Sequence, residues 1–530
     1  MSDTPARWAR APSVLDYYSD SPTFAIAASP LSTSSASSLR LAVGSYSETR
    51  VPSGAAATSS SSSSSSSTFS TANYTNHLTV AAVDPVIADL EDDSDSDSET
   101  AYRSRSTRQR VYPGGGSSSS SAGAFRAVAR APLLYPPSAV RFAPARLSGS
   151  LASGSGGNAG FGESEQREVL ATSSESLRLW DLVTEQDDGS GGGRGGNGFI
   201  GGVGAGGVPH SRSRLVSRAT LQNSKAEFSA PLTGFSWSQL EPTQIVTASI
   251  DTTCTVWDIS TGVPVTQLIA HDREVYDVAW SPAQREIFAS VGADGSVRMF
   301  DLRSLEHSTI LYEAAPSPAP ISSAGGSSSS GGSGTGAGGS SGNSSSAAVG
   351  KDNGTSPSSK KASSASSSSN NGPPAPLLRL AFSPTSPNYL AVVHADSPNV
   401  QILDTRSPGT AAFEIRGHKA AVNGIAWGGE TMSTGGGGGS GSRTAGETSG
   451  PGWLSTVSDD ATLLLWDLSQ SQPSAPTSRS APQQAKQIST PAMAYTASSE
   501  VNAVAWGGGG GGNGSEWISI GCGRLVRTLR

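Results

Sequence analysis

The stretch "FASVGADGSVRMFDLR", Phe288 to Arg303, carries the pattern that predicts the fold of the chain. Two alternating apolar runs flank an Asp-Gly pair, which is a strong signal for a β-hairpin. The second run ends in the aromatic residue Phe300 and the acidic residue Asp301. The first question about such a unit is whether it recurs along the chain.

The unit does recur. Three further segments place two strands around a turn and end in Trp-Asp: "IVTASIDTTCTVWDIS" (Ile245 to Ser260), "LSTVSDDATLLLWDLS" (Leu454 to Ser469) and "LATSSESLRLWDLV" (Leu170 to Val183). A short block ending in a large aromatic precedes each unit, as in "VYDVAW" at Val275. Weaker copies lie at Leu378 to Arg406, Val501 to Leu529 and Thr23 to Asp84, which gives seven units.

The spacing of the units is typical of a WD40 propeller. Trp257 and Phe300 are 43 positions apart, within the roughly 40–45 residues of one WD40 blade. We therefore predict an all-β fold, a single seven-bladed WD40 β-propeller over residues 1–530. Because the chain stops after the third strand of the last unit, we expect the segment Arg7 to Tyr18 to supply that blade's outer strand.

Long Ser/Gly-rich inserts separate the units. They lie near 51–71, 88–124, 148–160, 186–207, 316–372, 429–452 and 507–514. We predict that they are disordered, since such polar tracts bury too little apolar surface to offset chain entropy. Counting strands a to d outwards from the hub, five inserts fall in a–b or c–d loops and two, 51–71 and 316–372, in b–c or d–a loops. The rim with fewer inserts is the predicted partner-binding rim.

Composition and motifs argue against several function classes. With 36 basic and 43 acidic residues, the net charge of −7 disfavours a nucleic-acid-binding surface over the whole protein. No apolar run has the length of a membrane helix, no signal peptide is recognisable, and Cys254 and Cys522 follow no metal spacing. No phosphate loop or nucleophile elbow occurs. We predict no catalytic residue, cofactor or metal, and an intracellular protein of the nucleus and cytoplasm.

Buried hydrogen-bond chains are predicted within the blades. A strand b hydroxyl, a turn Asp, a His of the d–a loop and a strand c Trp can satisfy one another's polar groups. Three blades carry such sets: His418, Thr456, Asp460 and Trp466; Thr247, Asp251 and Trp257, without a His; and His271, Ser290 and Asp294, where Phe300 replaces the Trp. Ser, His and Asp together could also indicate a hydrolase triad, but recurrence at the blade period favours the structural role.

Several segments resemble one family closely. "KAEFSAPLTGFSW", "TQLIAHDREVYDVAWS" and "SLEHSTILYE" are similar to the WD-repeat 68 family, which includes the plant anthocyanin and TRANSPARENT TESTA GLABRA regulators and the animal cullin-associated WD adaptor. The similarity is dense from Lys225 to Glu313 and patchier from Leu377 to Arg530. It implies a non-enzymatic adaptor that assembles protein kinases, or MYB and basic helix-loop-helix transcription factors. Some members associate with the cullin-4 ubiquitin ligase through its DNA-damage-binding adaptor.

The ligase role of such proteins is linked to a Trp-Asp-x-Arg box. Phe300 to Arg303 and Leu403 to Arg406 match this box, with the Trp replaced in both. Arg303 and Arg406 could therefore dock a ligase adaptor, or pair with the neighbouring Asp. The first hypothesis is a scaffold for kinases and transcriptional regulators, and the alternative is a cullin-4 substrate receptor. Asp272, Arg273 and Tyr276, which follow His271, are further partner-binding candidates.

Overall fold

The computed structural model describes twelve parts of the chain: residues 14–32, 39–46, 76–83, 125–145, 165–185, 212–222, 230–318, 371–428, 450–469, 471, 484–507 and 517–530. All elements in these ranges are β-strands, and seven of their eight sheets form the predicted seven-bladed propeller. The predicted inserts lie outside the described residues except for their ends at 316–318, 371–372, 450–452 and 507. The described residues include no helix long and apolar enough to cross a membrane.

Each blade is a four-stranded antiparallel sheet, with strand a innermost. The first described strand, β1 (Val14–Tyr18), belongs to blade 7. Blade 1 contains β2 (Thr23–Ala28), β3 (Arg40–Ser45), β4 (Asn76–Val83) and β5 (Phe125–Leu133). Blade 2 contains β6 (Ala139–Phe142), β7 (Glu165–Ser173), β8 (Leu177–Glu185) and β9 (Arg212–Leu221). Blade 3 contains β10 (Leu232–Trp237), β11 (Gln244–Ser249), β12 (Thr253–Asp258) and β13 (Val263–Ile269).

The remaining blades follow the same order. Blade 4 contains β14 (Val275–Trp280), β15 (Ile287–Gly292), β16 (Ser296–Asp301) and β17 (Thr309–Glu313), and a separate two-stranded sheet of β18 (Pro316–Pro318) and β19 (Asn371–Pro374) follows. Blade 5 contains β20 (Leu377–Phe382), β21 (Tyr389–His394), β22 (Asn399–Asp404) and β23 (Ala411–Arg416). Blade 6 contains β24 (Val422–Trp427), β25 (Trp453–Ser458) and β26 (Thr462–Asp467), then β27 (Lys486–Ile488) precedes the outer strand β28 (Met493–Thr496). Blade 7 ends the chain with β29 (Ala503–Gly507), β30 (Trp517–Cys522) and β31 (Leu525–Leu529).

The chain divides into two units, residues 316–373 and the remainder. The described part of the small unit is the strand pair β18 and β19. Within the propeller, β27 adds to the outer edge of blade 5 as a parallel fifth strand, with Phe413 opposite Lys486 and Ile415 opposite Ile488. The connection from blade 6 thus covers a strand edge that would otherwise be open.

The turns between strands b and c explain why the repeated Asp starts each hairpin. The residue after this Asp has positive φ in three blades: Gly295 (74°), Thr252 (75°) and Ala461 (62°). Glycine adopts this conformation without strain, whereas Thr and Ala do so at a cost. In each turn the Asp carboxylate accepts the backbone N–H two residues later, at 3.0 Å for Ser296 and 3.0 Å for Thr462.

The core is divided into seven layers, each between two neighbouring blades. One layer combines Phe413 of blade 5 with Trp466 of blade 6. The layer that closes the ring combines Leu15 and Trp517 of blade 7 with Leu41 of blade 1. The described residues thus form one such cluster for every adjacent pair of blades. Since a lone blade leaves these faces in water, the blades stabilise one another by closing the ring.

The two ends of the chain meet in blade 7, as predicted. β1 pairs with β31 in antiparallel register, from Val14 opposite Leu529 to Tyr18 opposite Leu525. The Arg527 guanidinium donates to both carboxylate oxygens of Asp16, at 2.7 and 2.6 Å. The prediction named Arg7 to Tyr18, of which residues 7–13 lie outside the described part of the chain.

The strand order gives the propeller two different rims. The a–b and c–d connections open on one side, here called the ab/cd rim, and the b–c and d–a connections open on the other, the bc/da rim. The described strands on either side of the predicted inserts at 88–124, 148–160, 186–207, 429–452 and 507–514 are consecutive a–b or c–d pairs. Those on either side of 51–71 are strands b and c of blade 1, and those on either side of 316–372 are strand d of blade 4 and strand a of blade 5.

Candidate partner-binding rims and their buried hydrogen-bond chains

Blade 6 contains a complete buried hydrogen-bond chain. His418 Nε2 lies 2.7 Å from Thr456 Oγ1, and the indole N–H of Trp466 donates to the same hydroxyl at 3.0 Å. His418 Nδ1 lies 3.1 Å from a carboxylate oxygen of Asp460. The four residues predicted from the repeat are therefore joined, and they tie the d–a loop to strands b and c.

Burial and hydrogen bonds determine the charges of His418 and Asp460 in this hydrogen-bond chain. Burial lowers the pKa of His418, so the buried imidazole favours its neutral form. Burial opposes the ionisation of Asp460, but hydrogen bonds from Thr462, the Lys419 amide and His418 outweigh it and lower its pKa. The carboxylate thus remains ionised and accepts hydrogen bonds from three directions.

Blade 4 contains an equivalent hydrogen-bond chain that lacks the Trp. His271 Nε2 lies 2.7 Å from Ser290 Oγ, and Nδ1 lies 3.0 Å from Asp294. Phe300 takes the Trp position and stacks on Phe288 with ring centroids 5.1 Å apart. An aromatic contact thus replaces the missing indole hydrogen bond.

The hydrolase alternative fails on access. Asp294, His271 and Ser290 have the connectivity of a catalytic triad, with the His between carboxylate and hydroxyl. Ser290, however, is 0% exposed and His271 is buried. A substrate carbonyl cannot reach the Ser290 hydroxyl, so this set supports the fold.

Blade 3 keeps only part of the chain, and Asp251 departs from the prediction. The Trp257 indole N–H donates to Thr247 Oγ1 at 3.0 Å. Asp251 is exposed and instead accepts from the N–H and hydroxyl of Thr253, at 3.1 and 2.6 Å. Because blade 3 has no His to bridge them, nothing links the Asp251 carboxylate to Thr247.

The sequence analysis missed several members of these chains. In blade 2, the Trp180 indole N–H donates to Thr172 Oγ1 at 3.0 Å. Ser296 Oγ and Thr462 Oγ1 each lie 3.1 Å from the Nδ1 atom of the blade's His. The signal was present, since a hydroxyl residue stands two positions after the turn Asp in blades 3, 4 and 6.

Arg303 lies at the end of strand c of blade 4 and pairs with its own Asp. Its Nε and Nη2 atoms donate to Asp301 at 2.9 and 2.6 Å, and its backbone N–H donates to the same carboxylate at 3.0 Å. These bonds lower the pKa of Asp301 to about 2. The Arg303 side chain is nevertheless 66% exposed, and no described residue binds its Nη1.

Arg406 takes the equivalent position in blade 5. It donates to Asp404 through Nε and Nη2, at 2.9 and 2.7 Å, and to the Tyr389 hydroxyl at 3.3 Å. Its guanidinium also lies 5.5 Å from the Tyr389 ring centroid, within cation–π distance. Half of the side chain, 49%, remains exposed. Two arginines held in the same way thus stand on neighbouring blades at the ab/cd rim.

The other three candidates lie at the opposite rim. Asp272 and Arg273 are in the d–a loop before β14, and Tyr276 is a half-buried residue of that strand. Asp272 is 82% exposed and pairs with Arg298 Nη2 at 2.7 Å, while Arg273 approaches Glu274 at 3.8 Å. The five predicted partner-binding residues therefore belong to two separate surfaces.

Comparison with known proteins agrees with this architecture. The "WD domain, G-beta repeat" family model matches residues 262–301, which span strand d of blade 3 and strands a to c of blade 4. A matched repeat is thus offset from a blade by one strand, consistent with an N-terminal strand that closes the ring.

Three relatives extend the similarity over most of the propeller. The DDB1- and CUL4-associated factor 7 homolog of Dictyostelium discoideum is 33% identical over 367 residues, covering 69% of this chain and 76% of the relative. An uncharacterised WD repeat-containing protein of Schizosaccharomyces pombe is 35% identical over 312 residues, covering 58% of this chain and 52% of the relative. A WD repeat-containing protein of Saccharomyces cerevisiae is 29% identical over 350 residues, covering 66% of this chain and 50% of the relative. The chain spans about half the length of these two yeast relatives.

Proposed function

Because the chain belongs to the WD-repeat family that includes the Dictyostelium DDB1- and CUL4-associated factor 7 homolog, we propose that it is a non-enzymatic adaptor of a CUL4 ligase, docked through Arg303 and Arg406. The observation that carries the proposal is the pair of exposed, equivalently held arginines at the ab/cd rim of blades 4 and 5. The relative's name supplies DDB1 and CUL4 as the partner class. The narrower assignment to the WD-repeat 68 family belongs to the same proposal.

The ion pairs within the blades and a docking role are compatible. Asp301 and Asp404 each occupy one edge of the guanidinium fork, which restricts the rotamers of a long side chain. An arginine ordered before binding loses less conformational entropy in a complex. No described residue accepts a hydrogen bond from the Nη1 group of either arginine, so this group can donate to a carboxylate or carbonyl of the partner. Replacement of the Trp of the box leaves this arrangement intact.

The docking proposal is tested by affinity purification and mass spectrometry from the native cell. We expect DDB1 and CUL4 to co-purify with the wild-type chain and to be lost with Arg303→Glu/Arg406→Glu. Arg416→Glu is the matched control, because Arg416 is also 49% exposed and paired with an acidic residue two positions earlier, but stands at the bc/da rim. Retention of both proteins by the double variant would reject docking through these arginines.

A second role is the assembly of protein kinases and transcriptional regulators. The dense resemblance from Lys225 to Glu313, through blades 3 and 4, supports it, and the surface around Asp272, Arg273 and Tyr276 is the candidate site. We expect Arg273→Glu to remove kinases or transcription factors from the purified complexes while DDB1 remains. A complex without kinases or transcription factors in the wild type would contradict this role. Location in both nucleus and cytoplasm stays a prediction.

A further inference from the structure

The innermost strands of the seven blades line a central channel with a cavity volume of about 630 Å³. Among the lining residues, each strand supplies two at equivalent positions, one and three places before its last residue, or before Trp506 in blade 7. Eleven of these fourteen residues are small: Ala25, Ala27, Ala139, Gly234, Ser236, Ala279, Ala381, Gly424, Ala426, Ala503 and Ala505. The other three are charged: Arg141 of blade 2, Asp277 of blade 4 and Arg379 of blade 5.

The two channel arginines lack acidic partners among the described residues. Arg141 Nε donates to the Phe235 carbonyl at 3.1 Å, and Arg379 Nη1 donates to the Leu378 carbonyl at 3.0 Å. Neither arginine forms an ion pair with a described carboxylate, unlike Arg303 and Arg406 at the rim. A guanidinium has five N–H donors, so most of the donors of each arginine have no described protein acceptor.

Asp277 does not neutralise this charge by direct pairing. Its two carboxylate oxygens accept the backbone N–H groups of Val278 and Leu380, at 2.9 and 3.2 Å, and the residue is only 8% exposed. Asp277, Arg379 and Arg141 line the same channel; burial raises the pKa of Asp277, and the two arginines oppose that rise. A Cβ at Gly234 would lie 3.0 Å from Asp277 Oδ1, so the glycine makes room for the carboxylate.

We propose that this channel is an anion-binding site in which Arg141 and Arg379 hold a phosphate group. Guanidinium groups bind phosphate oxygens through paired N–H donors, and protein walls strengthen the attraction relative to open solvent. The surrounding Ala and Gly residues leave space for such a group where larger side chains would fill the channel. The phosphate belongs either to a small free anion or to a phosphorylated side chain, and both present the same chemistry. This site is independent of the proposed ligase docking at the ab/cd rim.

Inorganic phosphate is the first probe, titrated into the full-length protein at constant ionic strength with chloride as the reference anion. We expect saturable binding in calorimetry, and a Tm that rises with phosphate but not with chloride. Arg379→Gln and Arg141→Gln should each weaken phosphate binding at least about fivefold. Asp277→Asn should strengthen it, because it removes the negative charge next to the site. Arg214→Gln, at an exposed position of the outer strand β9, is the control and should leave phosphate affinity unchanged.

The test is decisive because the arginine variants should weaken phosphate binding, whereas Asp277→Asn should strengthen it. If Arg141→Gln fails to fold, Arg379→Gln and Asp277→Asn still decide the outcome. Arg379→Gln should fold, because the one described hydrogen bond of the Arg379 side chain is to the carbonyl of the adjacent residue. Absence of phosphate binding by the wild type, or equal weakening by Arg214→Gln and the channel variants, would overturn the proposal. A capped phosphoserine then separates the two sources. Binding as tight as that of phosphate assigns the site to a partner's phosphorylated side chain, and exclusion of the capped residue assigns it to a free anion.

Discussion

The residue that follows the turn Asp determines how much backbone strain each b–c turn carries. Blade 4 has Gly295 at the position with positive φ, whereas blade 6 has Ala461 at 62°. We expect Ala461→Gly to raise the free energy of unfolding by roughly 1 kcal/mol, because a left-handed Ala is strained. Thermal or urea unfolding measures the gain. Gly295→Ala is the reciprocal control and should lower stability, and a loss in both variants would contradict the conformational explanation.

The buried His418 makes stability depend on pH. Its pKa is lowered by burial in the folded protein, so below its ordinary value near 6.5 the unfolded chain binds more protons than the folded one. Stability should therefore fall as the pH drops below about 6.5, with at most about 1.4 kcal/mol per pH unit from this residue. His418→Gln should reduce the slope between about pH 6.5 and pH 5. His307→Gln, at an exposed position, should leave it unchanged, and equal slopes in all three proteins would refute this linkage.

At the scale of elements, recurrence decided what the sequence could predict. Strands b and c of most blades carry the alternating pattern and a turn Asp, so their existence and order followed from the repeat. The parallel strand β27 could not be predicted, because Lys486–Ile488 carries no pattern of its own and is ordered by pairing with β23. The exposed position of Asp251 was also missed, since it depends on a His that blade 3 lacks.

The N-terminal strand is the element on which ring closure depends. Leu15 is 2% exposed in the layer between blades 7 and 1, while Tyr18 on the same strand is 69% exposed. We expect Leu15→Ala to cost about 2–5 kcal/mol of stability and Tyr18→Ala less than about 0.5 kcal/mol. Comparison of the two melting curves tests this directly. Similar melting temperatures for Leu15→Ala and the wild type would mean that β1 does not hold the ring closed.

For the whole molecule, the blade count followed from the sequence, but the surfaces did not. Arg303 and Arg406 lie at the ab/cd rim, whereas Asp272 and Arg273 occupy the bc/da rim, which the sequence predicts to bind partners. Whether an Arg is exposed, paired with its own Asp or left without a carboxylate depends on neighbours distant in sequence. Arg141, Asp277 and Arg379 line one channel only because the ring closes, so no local pattern marks them.

The central claim is that the ab/cd rim of blades 4 and 5 docks the CUL4 adaptor DDB1. The most direct measurement is the Kd of purified full-length protein for purified DDB1, for the wild type, Arg303→Glu/Arg406→Glu and the opposite-rim control Arg416→Glu. We expect the double variant to bind at least about tenfold more weakly, a loss of about 1.4 kcal/mol or more, with wild-type affinity for Arg416→Glu. Wild-type affinity in the double variant, with its melting temperature unchanged, would contradict the claim.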